Sequence, residues 1–238
     1  MVELYESKIS QTDDLVDIAD FLTEDPQYKK SVQKYINNPF DADIERVGKG
    51  TFTVAISKAD SPSLDKFDPA TAVTKATTEA LAKLACTGAR FLTTKNVDDR
   101  RITALGLVKD KKKVASMAFD AKGDTIYLVG KVEDENDFQI NNKTLSVILK
   151  AIERDLITSA HHISSNGLFI SLLECCAPNE LGFDITGDAE YEDKEFLFGR
   201  SRHLAIITVN DEQENELVDF LFNEDIPITL LGHVTKGE

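Results

Sequence analysis

The sequence is poor in the residues that staple or anchor a chain. In 238 residues it has no tryptophan, three cysteines, two methionines and six prolines. Cys86, Cys175 and Cys176 are too few and too badly spaced for a disulfide framework or a four-ligand zinc site, and no metal ligands are expected from spacing. The adjacent pair reads as packed helix residues. Positive charge is also scarce: 27 basic against 42 acidic side chains leave a net −15. Nucleic-acid affinity comes largely from a basic surface, so the balance excludes nucleic acid as a partner. It excludes an anionic membrane surface for the same reason. The longest apolar stretch, Gly167 to Leu173, is far short of the ~20 residues of a membrane helix. Met1 to Glu6 has neither the basic region nor the apolar core of a signal peptide, so a cytoplasmic, reducing setting is expected. What remains, 42% hydrophobic and 29% charged, is the composition of a folded domain.

Helical and strand periods alternate along the chain. Leu15, Ile18, Phe21 and Leu22 share one helical face, with Thr12 or Asp13 as the expected cap. Pro26 interrupts that pattern, and Tyr28 to Ile36 gives a second amphipathic stretch. Phe52, Val54 and Ile56 alternate as in a half-buried strand. A loop is expected at Ser61-Pro62-Ser63. Thr71 to Cys86 reads as an Ala-rich helix, with Val73, Leu81, Leu84 and Ala85 as core contacts and Gly88 just past its end. Strands are expected at Thr103 to Val108, Val114 to Phe119 and Thr125 to Val129. The basic run 109–113 reads as a turn, and 133–137 as a solvated acidic loop. Leu145 to Leu156 and a buried stretch from about Asn166 read as helices. Strands follow at Gly182 to Ile185 and Leu204 to Val209. A capping box at Asn210 or Asp211 opens the last helix, with Gln213 or Glu214 three residues on. Ile226 to Leu231 closes as a strand. The interleaving predicts an α/β or α+β chain with a soft boundary near Phe119 to Gly123.

Several chemistries lack their motifs. Val47-Gly48-Lys49-Gly50-Thr51 has no Gly five residues before Gly48, so it cannot wrap phosphates as a Walker loop does. Thr53 stands where a dinucleotide fingerprint needs its third Gly. The polar feature that stands out is Ala160-His161-His162-Ile163-Ser164-Ser165-Asn166-Gly167. It reads as a loop leading into a buried helix, whose N-terminal N–H groups can hold an anion. A helix-entry loop whose Ser and Asn side chains only cap the backbone is the competing reading.

At this loop the chain resembles a family. Ser159-Ala160-His161-His162-Ile163-Ser164-Ser165-Asn166-Gly167-Leu168 is similar to a Ser-Ala-His-Asp-Val-Ser-Asp-Gly-Gly-Leu run in the C-terminal half of phosphoribosylformylglycinamidine synthase. That glutamine-dependent ATP ligase of purine biosynthesis lies in the aminoimidazole ribonucleotide synthetase superfamily. Gly123-Asp124-Thr125-Ile126-Tyr127-Leu128-Val129-Gly130 is similar to the family's strand after a Gly-Asp turn. Ala72 to Ala89 resembles its Ala-rich helix, Phe196 to Arg202 its loop before a strand, and Ile226 to Thr235 its closing passage. The likeness covers roughly residues 45–238.

The resemblance implies a two-domain synthetase half: a shortened, dimer-forming N-terminal sheet domain with helices (1–119) and a C-terminal α/β domain (120–238). It implies ATP and magnesium as the family's cofactors. It implies a second copy or a complementary synthase half as partner, because halves of the superfamily pair through their N-terminal sheets. The departures point the same chain away from catalysis. His162 and Ser165 stand where the family has Asp, Asn166 replaces a Gly, and Lys95-Asn96 stands at the family's Thr-Asp pair. The family's Gly-Asn-Val-Ser segment and its Gly-Gly-Ser-Glu-Tyr loop have no counterpart. Phosphoryl transfer needs carboxylates to hold the metal. The expectation is a non-catalytic or remodelled half acting as a structural or partner subunit. The alternative is a nucleotide- or phosphate-binding protein or enzyme using the 161–167 loop. Its candidate ligand-binding residues are His161, His162, Ser164, Asn166, Gly167, Asn96, Arg200 and Arg202.

Overall fold

The computed structural model describes residues 14–48, 52–60, 69–97, 101–131, 138–163, 167–187, 192–199 and 203–237. The Thr12 or Asp13 cap, the Ser61-Pro62-Ser63 loop and the 133–137 acidic run lie outside them. The helices are α1 (Leu15–Glu24), α2 (Pro26–Asn37), α3 (Pro69–Cys86), α4 (Phe138–Glu153), α5 (Leu168–Cys176), α6 (Asp193–Phe198) and α7 (Glu214–Asn223). The strands are β1 (Asp43–Val47), β2 (Phe52–Asp60), β3 (Arg90–Val97), β4 (Arg101–Val108), β5 (Thr125–Lys131), β6 (Ser159–His162), β7 (Leu181–Ile185), β8 (His203–Val209) and β9 (Ile228–Lys236).

Two antiparallel sheets result, ordered β1-β2-β4-β3 and β6-β8-β5-β9-β7. The chain is therefore α+β. Asp14 caps α1, its carboxylate accepting from the N–H of Val16 and Asp17. Pro26 opens α2 as its first residue, where its missing N–H is no loss.

The Ala-rich composition of α3 has a packing cause. One side of α3 lays Ala76, Ala80 and Leu84 on Ala55, Ala59, Ile102 and Ala104 of the first sheet. Its other side puts Ala82, Ala85 and Cys86 into the core built by the second sheet and α4. A helix covered on both sides needs small residues for close approach.

The second sheet is covered on both faces. Tyr127, Val129, Ala205 and Ile207 meet α4 and α7 on one face. Ile126, Leu128, Ile206 and Leu231 meet α5 on the other. That is why Ile126 to Val129 is continuously apolar instead of alternating. Ile18 and Leu22 of α1 pack on Ile170 of α5 and Phe198 of α6.

Two expectations are corrected, and two strands are added. Val114 to Phe119 is an irregular passage with a bend at Met117 and Ala118 rather than a strand. Its N–H groups go to three different places: Ala115 to the Thr87 carbonyl, Met117 to Pro39 and Phe119 to Cys175. Met117 and Phe119 are fully buried, which gives the segment its apolar look without a ladder. β1 and β3, for which the sequence gives no strand signal, are paired into the first sheet by the structure. The 210–213 box forms one turn early. Asn210 accepts from the N–H of Gln213 at 3.0 Å and closes a turn, and α7 begins at Glu214.

Candidate functional site

The expected His loop is not a loop. Ser159 to His162 form β6, an edge strand of the second sheet, and all four residues are buried. Consecutive strand residues face opposite sides. His161 lies opposite Ile206 and His162 opposite Ala205. Ile206 belongs to the α5 face and Ala205 to the α4 face.

Asp41 ties both histidines together across the edge of β6. It follows α2 in a segment pinned on both sides: Ala42 N–H donates to the Thr87 hydroxyl at 3.1 Å, and Met117 N–H to the Pro39 carbonyl at 2.9 Å. His161 Nδ1 lies 2.6 Å from Asp41 Oδ1, and His161 Nε2 lies 3.1 Å from Glu174 Oε2. The backbone N–H of His162 donates to Asp41 Oδ2 at 2.8 Å. Glu174 comes from α5 and accepts a short hydrogen bond from the Ser31 hydroxyl of α2. Tyr35 stands edge-on to His161, with ring centroids 5.6 Å apart.

Both nitrogens of His161 face carboxylate oxygens, and only an imidazolium can donate at both. Burial alone would push His161 down, but the Asp41 charge and the hydrogen bonds from Asp41 and Glu174 lift it to about 9. For Asp41, burial works upward, yet the two histidines hold its carboxyl well below the usual carboxylate range. Burial lowers His162, and it raises the phenol of Tyr35 with help from Asp41.

His162 is the unsettled member. Its side chain is 3% exposed, and neither ring nitrogen has a hydrogen-bond partner among the described residues. Nδ1 lies 3.1 Å from Asp41 Oδ2 without the alignment of a hydrogen bond, and Nε2 lies 4.0 Å from Glu79 Oε1 of α3. One ligand atom each from Asp41, His161 and His162 lie within 4.8 Å of one another.

The other candidates disperse. Gly167 is buried at the start of α5, with φ of 91°, and its carbonyl accepts from the Ser171 hydroxyl at 3.1 Å. Asn96 sits on exposed β3 of the first sheet, opposite Ile102, on a different sheet from the histidines. Ser164, Asn166, Arg200 and Arg202 lie outside the described residues. Sequence reasoning missed Asp41, Glu174 and Ser31. Asp41 is 120 positions from His161 and Ser31 is 143 from Glu174, so no local spacing could have signalled those two; Glu174, 13 positions after His161, is one charge on an otherwise apolar helix.

Residues 113–238 match the family described as AIR synthase related protein, C-terminal domain. The chain belongs to that family. Among its curated relatives is the phosphoribosylformylglycinamidine synthase subunit PurL of Carboxydothermus hydrogenoformans. It is 29% identical over 154 residues, which cover 56% of this chain and 21% of that subunit. The PurL subunit of Leuconostoc mesenteroides is 32% identical over 131 residues, covering 47% of this chain and 17% of its own length. The chain thus spans about a fifth of the length of these relatives. Among solved structures, Thermotoga maritima PurL complexed with ADP superposes with a TM-score of 0.76 at 12% identity, over 98% of this chain and 50% of that one. A thiamine-monophosphate kinase from Stenotrophomonas maltophilia superposes at 0.61 and 14% identity, over 88% and 93%. These likenesses establish the fold of a PurL-related synthetase half.

Proposed function

We propose that this chain acts as a structural or partner subunit, a PurL-like half that binds a second half and does not carry out ATP-dependent ligation by itself. We take 1–119 and 120–238 as its two units. The observation that carries the reading is the fate of the family's loop. His161 has no exposed side-chain surface and spends both ring nitrogens on Asp41 and Glu174. His162, which stands where the run it resembles has Asp, is buried. Two histidines with almost no exposed side-chain surface are not placed to meet a bound nucleotide.

The partner half of the proposal rests on the first sheet. Its inner face is covered by α3. Directly opposed residues of an antiparallel pair share a face. The other face therefore carries Val54 with Leu107, Ile56 with Leu105 and Val47 with Phe52. None of these six belongs to any hydrophobic cluster of the described residues. Phe52 is 56% exposed. An apolar sheet face of this kind suits a second sheet of the same kind, which another copy of the chain can supply. The solved PurL chains, about twice as long as this one, support a whole built from two such halves.

Sedimentation of the full chain at micromolar concentration tests the reading. A dimer is expected. A monomer that also fails to retain a complementary synthase half in co-purification would overturn it. The competing reading, a nucleotide or phosphate binder, predicts thermal stabilisation by ATP or ADP with Mg²⁺. A ligand at 100 times its Kd adds about 2.7 kcal/mol. We expect no shift.

A further inference from the structure

We propose that Asp41, His161 and His162 form a buried site for a divalent transition-metal cation of the Zn²⁺ type. The donor set is two imidazoles and one carboxylate, which suits Zn²⁺ rather than Mg²⁺. One donor atom from each residue already falls within 4.8 Å of the others, so little movement is needed to close them on one ion. The three are held from different directions: β6 supplies the histidines, and the pinned 39–42 segment supplies Asp41.

Two further observations point to a cation. His162 is nine-tenths buried or more, and both its ring nitrogens lack a hydrogen bond. A buried polar atom without an aligned hydrogen bond is costly, and a metal at Nδ1, shared with Asp41 Oδ2 3.1 Å away, would satisfy it. His161 also has the support that metal-bound histidines have. Its second nitrogen, Nε2, donates to Glu174, which in turn is held by Ser31. With Nδ1 on the metal, this outer pair fixes the ring and its tautomer. Two carboxylates and a neutral imidazole pair would then balance the dication. Because all three residues are buried, the ion would tie α2, α5 and β6 together as a structural element, independent of any nucleotide chemistry.

The test loads chelator-treated full chain with Zn²⁺ alone, followed by calorimetry, and then with Co²⁺ for its visible spectrum. About one Zn²⁺ per chain is expected, with a rise in Tm and no competition from Mg²⁺. The Co²⁺ spectrum should show nitrogen and oxygen ligands without a sulfur charge-transfer band, since Cys86 and Cys175 are outside the set. His162→Gln should weaken Zn²⁺ binding about tenfold or more. If that variant does not fold, X-ray absorption on the zinc-loaded native chain decides, with two imidazoles expected. No uptake by the native chain, unchanged affinity in a folded His162→Gln, a thiolate band or an imidazole-free zinc shell would each overturn the proposal.

Discussion

Asp41 shows how much one side chain can hold. Its two oxygens accept from His161 Nδ1 and from the His162 backbone N–H, and it has no exposed surface. Removing one member of a buried ion pair leaves the other charge unsolvated, which costs on the order of 3–5 kcal/mol. Asp41→Ala is therefore expected to lower the unfolding free energy of the metal-free chain, measured by urea melts, by an amount in that range. A change below about 1 kcal/mol would mean that water replaces the carboxylate there. Asp124 makes the opposite case. Burial, aided by the nearby charge of Asp120, raises its carboxyl above the ordinary value, against the pull of the Thr158 hydroxyl at 2.7 Å. A raised native value means the folded chain binds the extra proton more readily. Stability from this group is therefore present at acid pH and falls as pH rises through the raised value. Asp124→Asn keeps an acceptor for Thr158. It should be more stable than the native chain at pH 7, and the gap should close toward pH 4, the ordinary carboxylate range. Urea melts at the two pH values check this, and a gap that widens on acidification would sink it.

At the scale of elements, β5 depends on a glycine. Gly130 sits at φ of +77° inside the strand, and its N–H donates to the Pro227 carbonyl at 3.0 Å. A Cβ added there would meet Thr144 Cγ2 of α4 at 2.7 Å. Left-handed backbone and a close helix combine, so Gly130→Ala should destabilise by roughly 1–3 kcal/mol. A thermal melt within a degree of the native one would count against this account. The elements that were legible in the sequence are those whose burial leaves a period. The stripes of α1 and α2 were read correctly, and the alternation of Phe52, Val54 and Ile56 marked β2. β3 was not legible, because seven of its eight residues are exposed and none is forced to alternate. The 114–119 passage misled for the reverse reason. It is buried through contacts with Thr87, Pro39 and Cys175, none of them strand neighbours.

At the scale of the molecule, the face of the first sheet turned away from α3, which joins no hydrophobic cluster of the described residues, is the feature with a measurable consequence. Ile56 and Leu105 are direct neighbours across β2 and β4 and face away from α3. Ile56→Asp with Leu105→Asp should reduce the solution mass to that of one chain while leaving the thermal midpoint of the monomer almost unchanged. An unchanged dimer mass would place the interface elsewhere. The rim of this face carries Glu45 on β1 and Lys95 on β3, so the apolar strip is bordered by charge of both signs. No helix among the described residues is long and apolar enough to cross a membrane.

The sequence alone determined the class of elements, the Ala-rich helix and the family, because burial on a regular element imprints a period and a composition on adjacent residues. Ser159 to Gly167 was visible as a polar cluster for the same local reason. Its meaning was decided only by the tertiary structure. Asp41 reaches His161 from 120 positions away, Glu174 meets its other nitrogen with Ser31 of α2 behind it, and Ser159 to His162 form a buried strand where a helix-entry loop was expected. Which face of the first sheet α3 covers is likewise a property of how that helix packs, and no residue of β2 or β4 carries that information by itself.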